Sequence, residues 1–225
     1  MRFGPCYPKI DTLFKRDEHN VIIPWDWTTD EFKYLRGIEW WWTEKIDGTN
    51  IRLHYNGTTV AIGGRTDDAQ VPAQLVANLA DVCDPARWAA TFGADPVTVY
   101  GEGYGAGIQS GGQYRPDRAL IVYDVRVGDW WLGIEDYCDV AAALGLEQVT
   151  PIVGVDPMTV DEAVERVWAT ARDATDPRAL ASFCPNARIE GLVGRPVVEL
   201  HNRKGERILA KIKVKDFADY ERSIR

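Results

Sequence analysis

Apolar positions change period several times along the chain. IEWWWTEK and IRLHY are dense in strand-forming residues and read as strands at about 38–45 and 50–55. Trp40, Trp41 and Trp42 lie in the first, a run that buries a strand on both faces. Asn56-Gly57 is a hairpin signal leading into a strand near 58–62. The period then lengthens to that of a helix at 72–82, with Val71, Leu75, Val76 and Leu79 on one face, and again at 85–91 after Asp84-Pro85.

VTVYGEGYG, residues 97–105, alternates and reads as a strand ending in a glycine loop. ALIVYDVRV, at 119–127, is a second buried strand, which Gly128-Asp129 turns back into WWLGI. Helical spacing returns at 135–144 and at 158–173, where Val160, Ala163, Val164, Val167 and Trp168 recur. ARIEGLVGR and RILAKIKV are again strands, and a short helix follows from Asp216. Residues 1–37, broken by Pro5, Pro8 and Pro24, read as an irregular lead. Strands outnumber helices and come mostly as hairpins. The fold class is therefore α+β with antiparallel sheets, not a doubly wound sheet.

At 225 residues, 45% hydrophobic and 27% charged, the chain can build one substantial core or two small domains, and 1–225 reads most simply as a single domain. Neither a signal-peptide run nor a bilayer-length apolar stretch is present, so a soluble, cytoplasmic protein is expected. Cys6, Cys83, Cys138 and Cys184 are scattered singly, which predicts reduced, mostly buried thiols over disulfides or zinc. The histidines are His19, His54 and His201, too widely spaced for an HExxH helix, and no GxSxG elbow occurs. A net charge of −8 argues against indiscriminate polyanion binding but leaves room for a local basic groove.

Candidate chemistry centres on WTEKIDGTNIR, where Lys45 stands at a strand end between Glu44 and Asp47. An ammonium is nucleophilic only once deprotonated, and neighbouring carboxylates favour the charged form. A divalent metal that screens them gives the arrangement chemical sense; a surface Glu-Lys-Asp cluster is the plainer alternative. In GEGYGAGIQSGG, Gly101, Gly103 and Ala106 meet a loose dinucleotide pattern, but QSGGQYRPD cannot open the required helix. Glu102 and Glu190 each stand before glycine at a strand end. Lys211 and Lys213 share one face of a strand, as phosphate contacts or as the charges of a solvated edge.

KIDG at 45–48, GGRT at 63–66, YGEG at 100–103, YDVR at 123–126, EGLVGRP at 190–196 and AKIK at 210–213 occur in order. Together they resemble the signature series of the covalent nucleotidyltransferases, which are ATP-dependent DNA ligases, RNA ligases and mRNA capping enzymes. EKIDGTN and YGEGYGAGIQ look most like the nick-sealing, RNA-repair type of RNA ligase, and the PKIDTLFKRD lead is similar to that of phage-type enzymes. One position departs from that branch: Asp47 stands where a histidine is frequent, as in DNA ligases.

The resemblance implies an ATP-grasp-like nucleotidyltransferase domain of antiparallel sheets flanked by helices. It implies ATP and Mg2+, with Mn2+ as a substitute, and 5′-phosphate and 3′-OH ends of RNA, nicked or single-stranded, as substrate. Lys45 would form lysyl-AMP. Lys211 and Lys213 would stabilise charge on the α-phosphate and lower the pKa of Lys45. Glu44, Ile46, Asn50 and Arg65 would line the nucleotide, Glu102 would hold the ribose, and Tyr123 would stack on the purine. Glu190 and Asp47 would attend the metal. A DNA ligase or a GTP-using capping guanylyltransferase is the alternative enzyme, and an idle nucleic-acid-binding module the alternative class.

Twelve residues follow Lys213. No appended OB-fold or C-terminal domain is therefore expected, and the polynucleotide would be gripped in one groove through Arg65, Arg115, Arg118, Lys211 and Lys215; a monomer acting away from membranes is expected as well.

Overall fold

The computed structural model describes residues 3–149 and 157–224. Elements follow in the order β1 (Asp11–Thr12), β2 (Phe14–Arg16), β3 (Ile22–Trp27), α1 (Asp30–Tyr34), β4 (Trp40–Glu44), β5 (Thr49–Tyr55) and β6 (Val60–Gly64). Next come α2 (Ala73–Asn78), α3 (Pro85–Phe92), β7 (Val97–Gly105), β8 (Arg118–Val127), β9 (Trp130–Trp131), α4 (Ile134–Leu144) and β10 (Glu147–Gln148). The chain ends in α5 (Val160–Arg172), β11 (Gly191–Pro196), β12 (Ala210–Lys213) and α6 (Val214–Ser223). Among the described residues no helix is long and apolar enough to cross a membrane.

Contacts divide the chain into two compact units, one of Met1–Pro8 and Ile46–Thr150, the other of Lys9–Lys45 and Pro151–Arg225. The chain thus passes from one to the other between residues 8 and 9, 45 and 46, and 150 and 151.

The first unit is a sheet in the order β10-β8-β7-β5-β6, with β9 paired to β8. Alternation gives it two unlike faces. Ile51, Leu53, Tyr55, Val97, Val99, Leu120, Val122 and Val125 form the apolar face, and Leu75 of α2, Trp88 of α3 and Tyr137 of α4 pack into the same core. The other face is polar and carries Asn50, Arg52, Thr98, Tyr100, Glu102 and Asp124.

Residues 4–7 cover part of that polar face and satisfy it. Arg52, fully buried, donates to the Gly4 and Gly64 carbonyls at 2.9 and 2.7 Å. Tyr100 donates to the Pro5 carbonyl at 2.9 Å, and Tyr7 donates to the buried Asp124 carboxylate at 2.8 Å. Buried polar groups need such partners, so this short segment is part of the fold.

The second unit is a sheet in the order β1-β12-β11-β4, with β2 and β3 as a separate pair. Trp40, Trp42, Leu192, Ala210 and Ile212 pack against Val160, Ala163, Val164 and Val167 of α5 and Phe217 of α6. Thr159 and Glu162 form a capping box, so α5 starts two residues later than its periodicity suggests. Gly191 lets β11 approach β12: a Cβ there would sit 2.0 Å from the Ile212 carbonyl oxygen.

Several expectations need correction. The described part of the 1–37 lead is not irregular; Met1 and Arg2 lie outside the described residues. It supplies β1, β2, β3 and α1, and buries Leu13, Phe14, Ile22, Trp27 and Phe32. Strands of two to six residues are too short to display a period, and Pro24 is tolerated because a two-stranded sheet is all edge. The α+β class with antiparallel sheets holds, with two short parallel edge pairs added to it, β1 with β12 and β10 with β8. Glu102 lies inside β7, which continues to Gly105. Trp41 is half-buried where burial on both faces was expected. The four thiols are free as expected, but Cys6 is exposed and the others only half-buried.

Gly191→Ala is expected to destabilise the protein by roughly 1–3 kcal/mol through overpacking, lowering Tm by several degrees. Thermal denaturation followed by circular dichroism checks this. An unchanged Tm would mean that the β11–β12 spacing is not set at this glycine.

Candidate active site

Within the second unit four sequence-predicted residues come together. β4 ends at Glu44, and the ladder carries on through a Lys45 N–H bond to the Gly191 carbonyl at 2.9 Å. This sets Lys45 beside the start of β11, next to Glu190. Glu190 bridges two lysines: Lys45 Nζ lies 2.6 Å from Oε2 and Lys213 Nζ 2.7 Å from Oε1. Lys211 shares the face of β12 with Lys213, and β12 is an inner strand between β1 and β11, so the solvated-edge reading of the lysines fails.

Two ammonium groups thus share one bridging carboxylate, and the charge of a third, Lys211, acts on the same cluster. Lys211 registers the imbalance: its pKa is lowered first by burial and then by the charges of Lys213 and Lys45, with Lys9 adding to the effect and Asp11 opposing it. An anion placed among these lysines would relieve that repulsion.

Glu44 is buried and registers opposite Leu192, on the sheet face that carries the core. Ser182 Oγ and the Phe183 N–H each donate to its carboxylate at 2.8 Å. Ser182 was not among the sequence-predicted residues. No motif marks it, because its role depends on a loop far from Glu44 in sequence.

Within the first unit a second group assembles at the other end of the KIDGTN motif. Ile46 is buried, and Asp47 accepts a bond from the Ser110 N–H at 3.3 Å. Gly48 is obligatory, because a Cβ would lie 2.3 Å from the Gly103 carbonyl oxygen and 2.8 Å from Glu102 Cγ. Asn50 then pairs directly opposite Glu102 across β5 and β7. In β8 the register shifts between the Tyr100 and Gly101 pairs, which makes Tyr123 the extra residue of a bulge. Bulges re-aim side chains, and here the Tyr123 hydroxyl meets the Asn50 amide nitrogen.

Tyr123 is kept neutral chiefly by burial, reinforced by Tyr7, Glu102 and Asp124. The Asn50 side-chain oxygen is buried and has no hydrogen-bond partner. An orphaned acceptor beside Glu102 suits a ligand that brings hydroxyl or amino donors. Arg65 follows β6 and is exposed, and it belongs to neither group.

A family model described as RNA ligase matches residues 38–213. The chain belongs to the RNA ligase family. That span takes in Lys45, Glu102, Tyr123, Glu190, Lys211 and Lys213. Among solved structures, the chain of this family member is similar to an apo variant of Naegleria gruberi RNA ligase, with 15% identity and TM-score 0.61, covering 96% of this chain and 64% of that one. A variant of the same ligase with AMP and Mn gives 14% identity and TM-score 0.62, covering 97% and 62%. A protein of Aquifex aeolicus, assigned as an ATP-dependent DNA ligase, gives 16% and 0.58, covering 94% and 50%. These likenesses establish the nucleotidyltransferase fold, and this chain spans under two thirds of each of those proteins. No curated protein matches it in sequence.

A lysine whose pKa is depressed in the fold loses stability as the pH falls through its folded value, and has its full contribution only above its unfolded value of 10.5. Lys211→Met should therefore raise Tm at neutral pH and flatten the gain in stability that the wild type shows as the pH climbs towards 10.5. Thermal melts of both proteins across that range test it. Parallel pH profiles would contradict the crowding of charge at Lys211.

Proposed function

We propose that the chain is the adenylyltransferase core of an ATP-dependent RNA ligase, which joins 5′-phosphate and 3′-OH ends through a lysyl-AMP intermediate. The observation that carries this reading is the bridge of Lys45 and Lys213 by Glu190, with Lys211 beside it. A nucleophilic lysine is already held at the edge of a site with surplus positive charge, where a phosphate belongs.

Lys45 acts as a nucleophile only as the neutral amine. Its ammonium must give up a proton and leave Glu190, and Glu190 Oε2 is the acceptor within reach. The amine then attacks the α-phosphorus of ATP. A P–N bond forms, the P–O bond to the β-phosphate breaks, and pyrophosphate leaves. Lys211 and Lys213 offset the charge that builds on the α-phosphate oxygens. Next, a 5′-phosphate oxygen of the polynucleotide displaces Lys45 from AMP, and finally a 3′-OH displaces AMP to form the phosphodiester.

For the nucleoside, the orphaned Asn50 oxygen and the Glu102 carboxylate offer acceptors to ribose hydroxyls, and Tyr123 offers a ring for stacking. Magnesium fits as the companion of the triphosphate. Among the described residues no three His, Cys, Asp or Glu converge to hold a metal, and both Glu190 oxygens already face an ammonium. Glu190 would hold magnesium through water, as an outer contact, in keeping with the reluctance of this cation to shed its waters. The ion would supply neutralisation of the phosphate charge. Asp47, bonded to the Ser110 N–H, belongs to the other unit from Glu190.

RNA ends are preferred as substrate on family membership. DNA ends are the second reading, favoured by Asp47 and by the likeness to the Aquifex protein. Incubation with α-labelled ATP or GTP and magnesium is expected to label the protein from ATP alone. Lys45→Ala and Lys45→Arg should both lose the label, because arginine cannot be deprotonated in proteins. Label from GTP alone would overturn the ligase reading. Given labelled protein, nicked RNA should be sealed faster than nicked DNA, and the reverse order would transfer the assignment to DNA ends.

A further inference from the structure

The segment Phe-Gly-Pro-Cys-Tyr at residues 3–7 has no part in the motif series, yet it ends against the ring proposed to stack on the base. Tyr7 is 8% exposed, and its ring lies 5.1 Å from that of Tyr123 at 74°, close to perpendicular. Tyr7 is fixed in turn on three sides. Its hydroxyl donates to the buried Asp124 at 2.8 Å, and its ring meets Tyr100 at 5.1 Å and Trp131 at 5.7 Å, the latter edge-on at 89°.

Support is needed here because of where Tyr123 sits. As the extra residue of a bulge it departs from the regular alternation of β8, and its side chain is re-aimed. The Asn50 amide reaches its hydroxyl, which restrains the tip of the ring but not its tilt. A perpendicular aromatic neighbour at van der Waals distance restrains the tilt, since rotation of the Tyr123 ring would drive it into Tyr7.

We propose that Tyr7 is a positioning residue for nucleotide binding: anchored on Asp124, it holds the plane of the Tyr123 ring at the angle on which a nucleobase stacks. The inference rests on the reading of Tyr123 as the base platform. The anchor and the edge have separable roles. The hydroxyl fixes the segment to the sheet, and the ring sets Tyr123.

Self-adenylylation kinetics test this with Tyr7→Leu, Tyr7→Phe, Tyr123→Leu and the double variant Tyr7→Leu/Tyr123→Leu, each with a thermal melt. Tyr7→Leu is expected to raise the KM for ATP by roughly 2- to 10-fold, the factor that an aromatic pair's contribution implies, with kcat unchanged. Tyr7→Phe, which keeps the edge, should hold KM within about 2-fold of wild type while its Tm falls with the lost bond to Asp124. In the Tyr123→Leu background, Tyr7→Leu should add nothing to KM, because its effect runs through the missing ring. Should Tyr7→Leu fail to fold, Tyr7→Met, of similar volume and without a planar edge, takes its place.

An unchanged KM in Tyr7→Leu, or an equal rise in the Tyr123→Leu background, would overturn the proposal. So would an unchanged KM in Tyr123→Leu, which removes the platform itself. If the wild type forms no adduct at all, the reading of function fails separately. Calorimetric titration of the same variants with ATP then reports whether Tyr7 governs nucleotide affinity.

Discussion

A single carboxylate holding two ammonium groups is the interaction on which the site depends. Glu190 meets Lys45 at 2.6 Å and Lys213 at 2.7 Å; Lys45 follows β4, Glu190 precedes β11 and Lys213 ends β12, three neighbouring strands of one sheet. Without Glu190 the three lysines would face one another half-buried, at a cost that surface ion pairs do not carry. In the proposed reaction this bridge would have to open before Lys45 could act as a nucleophile. Incoming phosphate charge is suited to that, since it satisfies the lysines in place of the carboxylate.

The strands exist to make this geometry. Gly191 brings β11 close enough to β12 for Glu190 and Lys213 to meet, while Trp40, Trp42 and Leu192 on the opposite face bury the sheet against α5 and α6. In the first unit Gly48 performs the corresponding service, letting the chain after Lys45 pass against β7 so that Asn50 lands opposite Glu102. Gly48 and Gly191 are thus each explained by a close approach of neighbouring backbone. The polar face of this sheet would be unaffordable without residues 4–7, which supply the acceptors that Arg52 and Tyr100 need and the donor that Asp124 needs.

Much of this was legible in the sequence. The strands around Lys45, Tyr100, Tyr123 and Lys211 carry strong alternation or β-branched runs, and the order of motifs pointed to the family that the match to residues 38–213 establishes. The first 37 residues were not legible, because their strands are short and their partners lie near residue 210, beyond any local pattern. Glu190 as the clamp of Lys45 was also hidden, since 145 positions separate the two. Ser182, the bulge at Tyr123 and the anchoring of Tyr7 depend on tertiary register alone. Composition left one core or two small domains open, and the buried apolar residues group into two clusters.

The central claim is that Lys45, released from Glu190, becomes the covalent carrier of AMP. Peptide mapping by mass spectrometry after incubation with ATP and magnesium tests it most directly. The account predicts one AMP on the peptide containing Lys45, through a bond labile to acid and stable to alkali and to neutral hydroxylamine, as a phosphoramidate is. AMP on Lys211, Lys213 or any other lysine, or a hydroxylamine-sensitive adduct on a carboxylate, would contradict it.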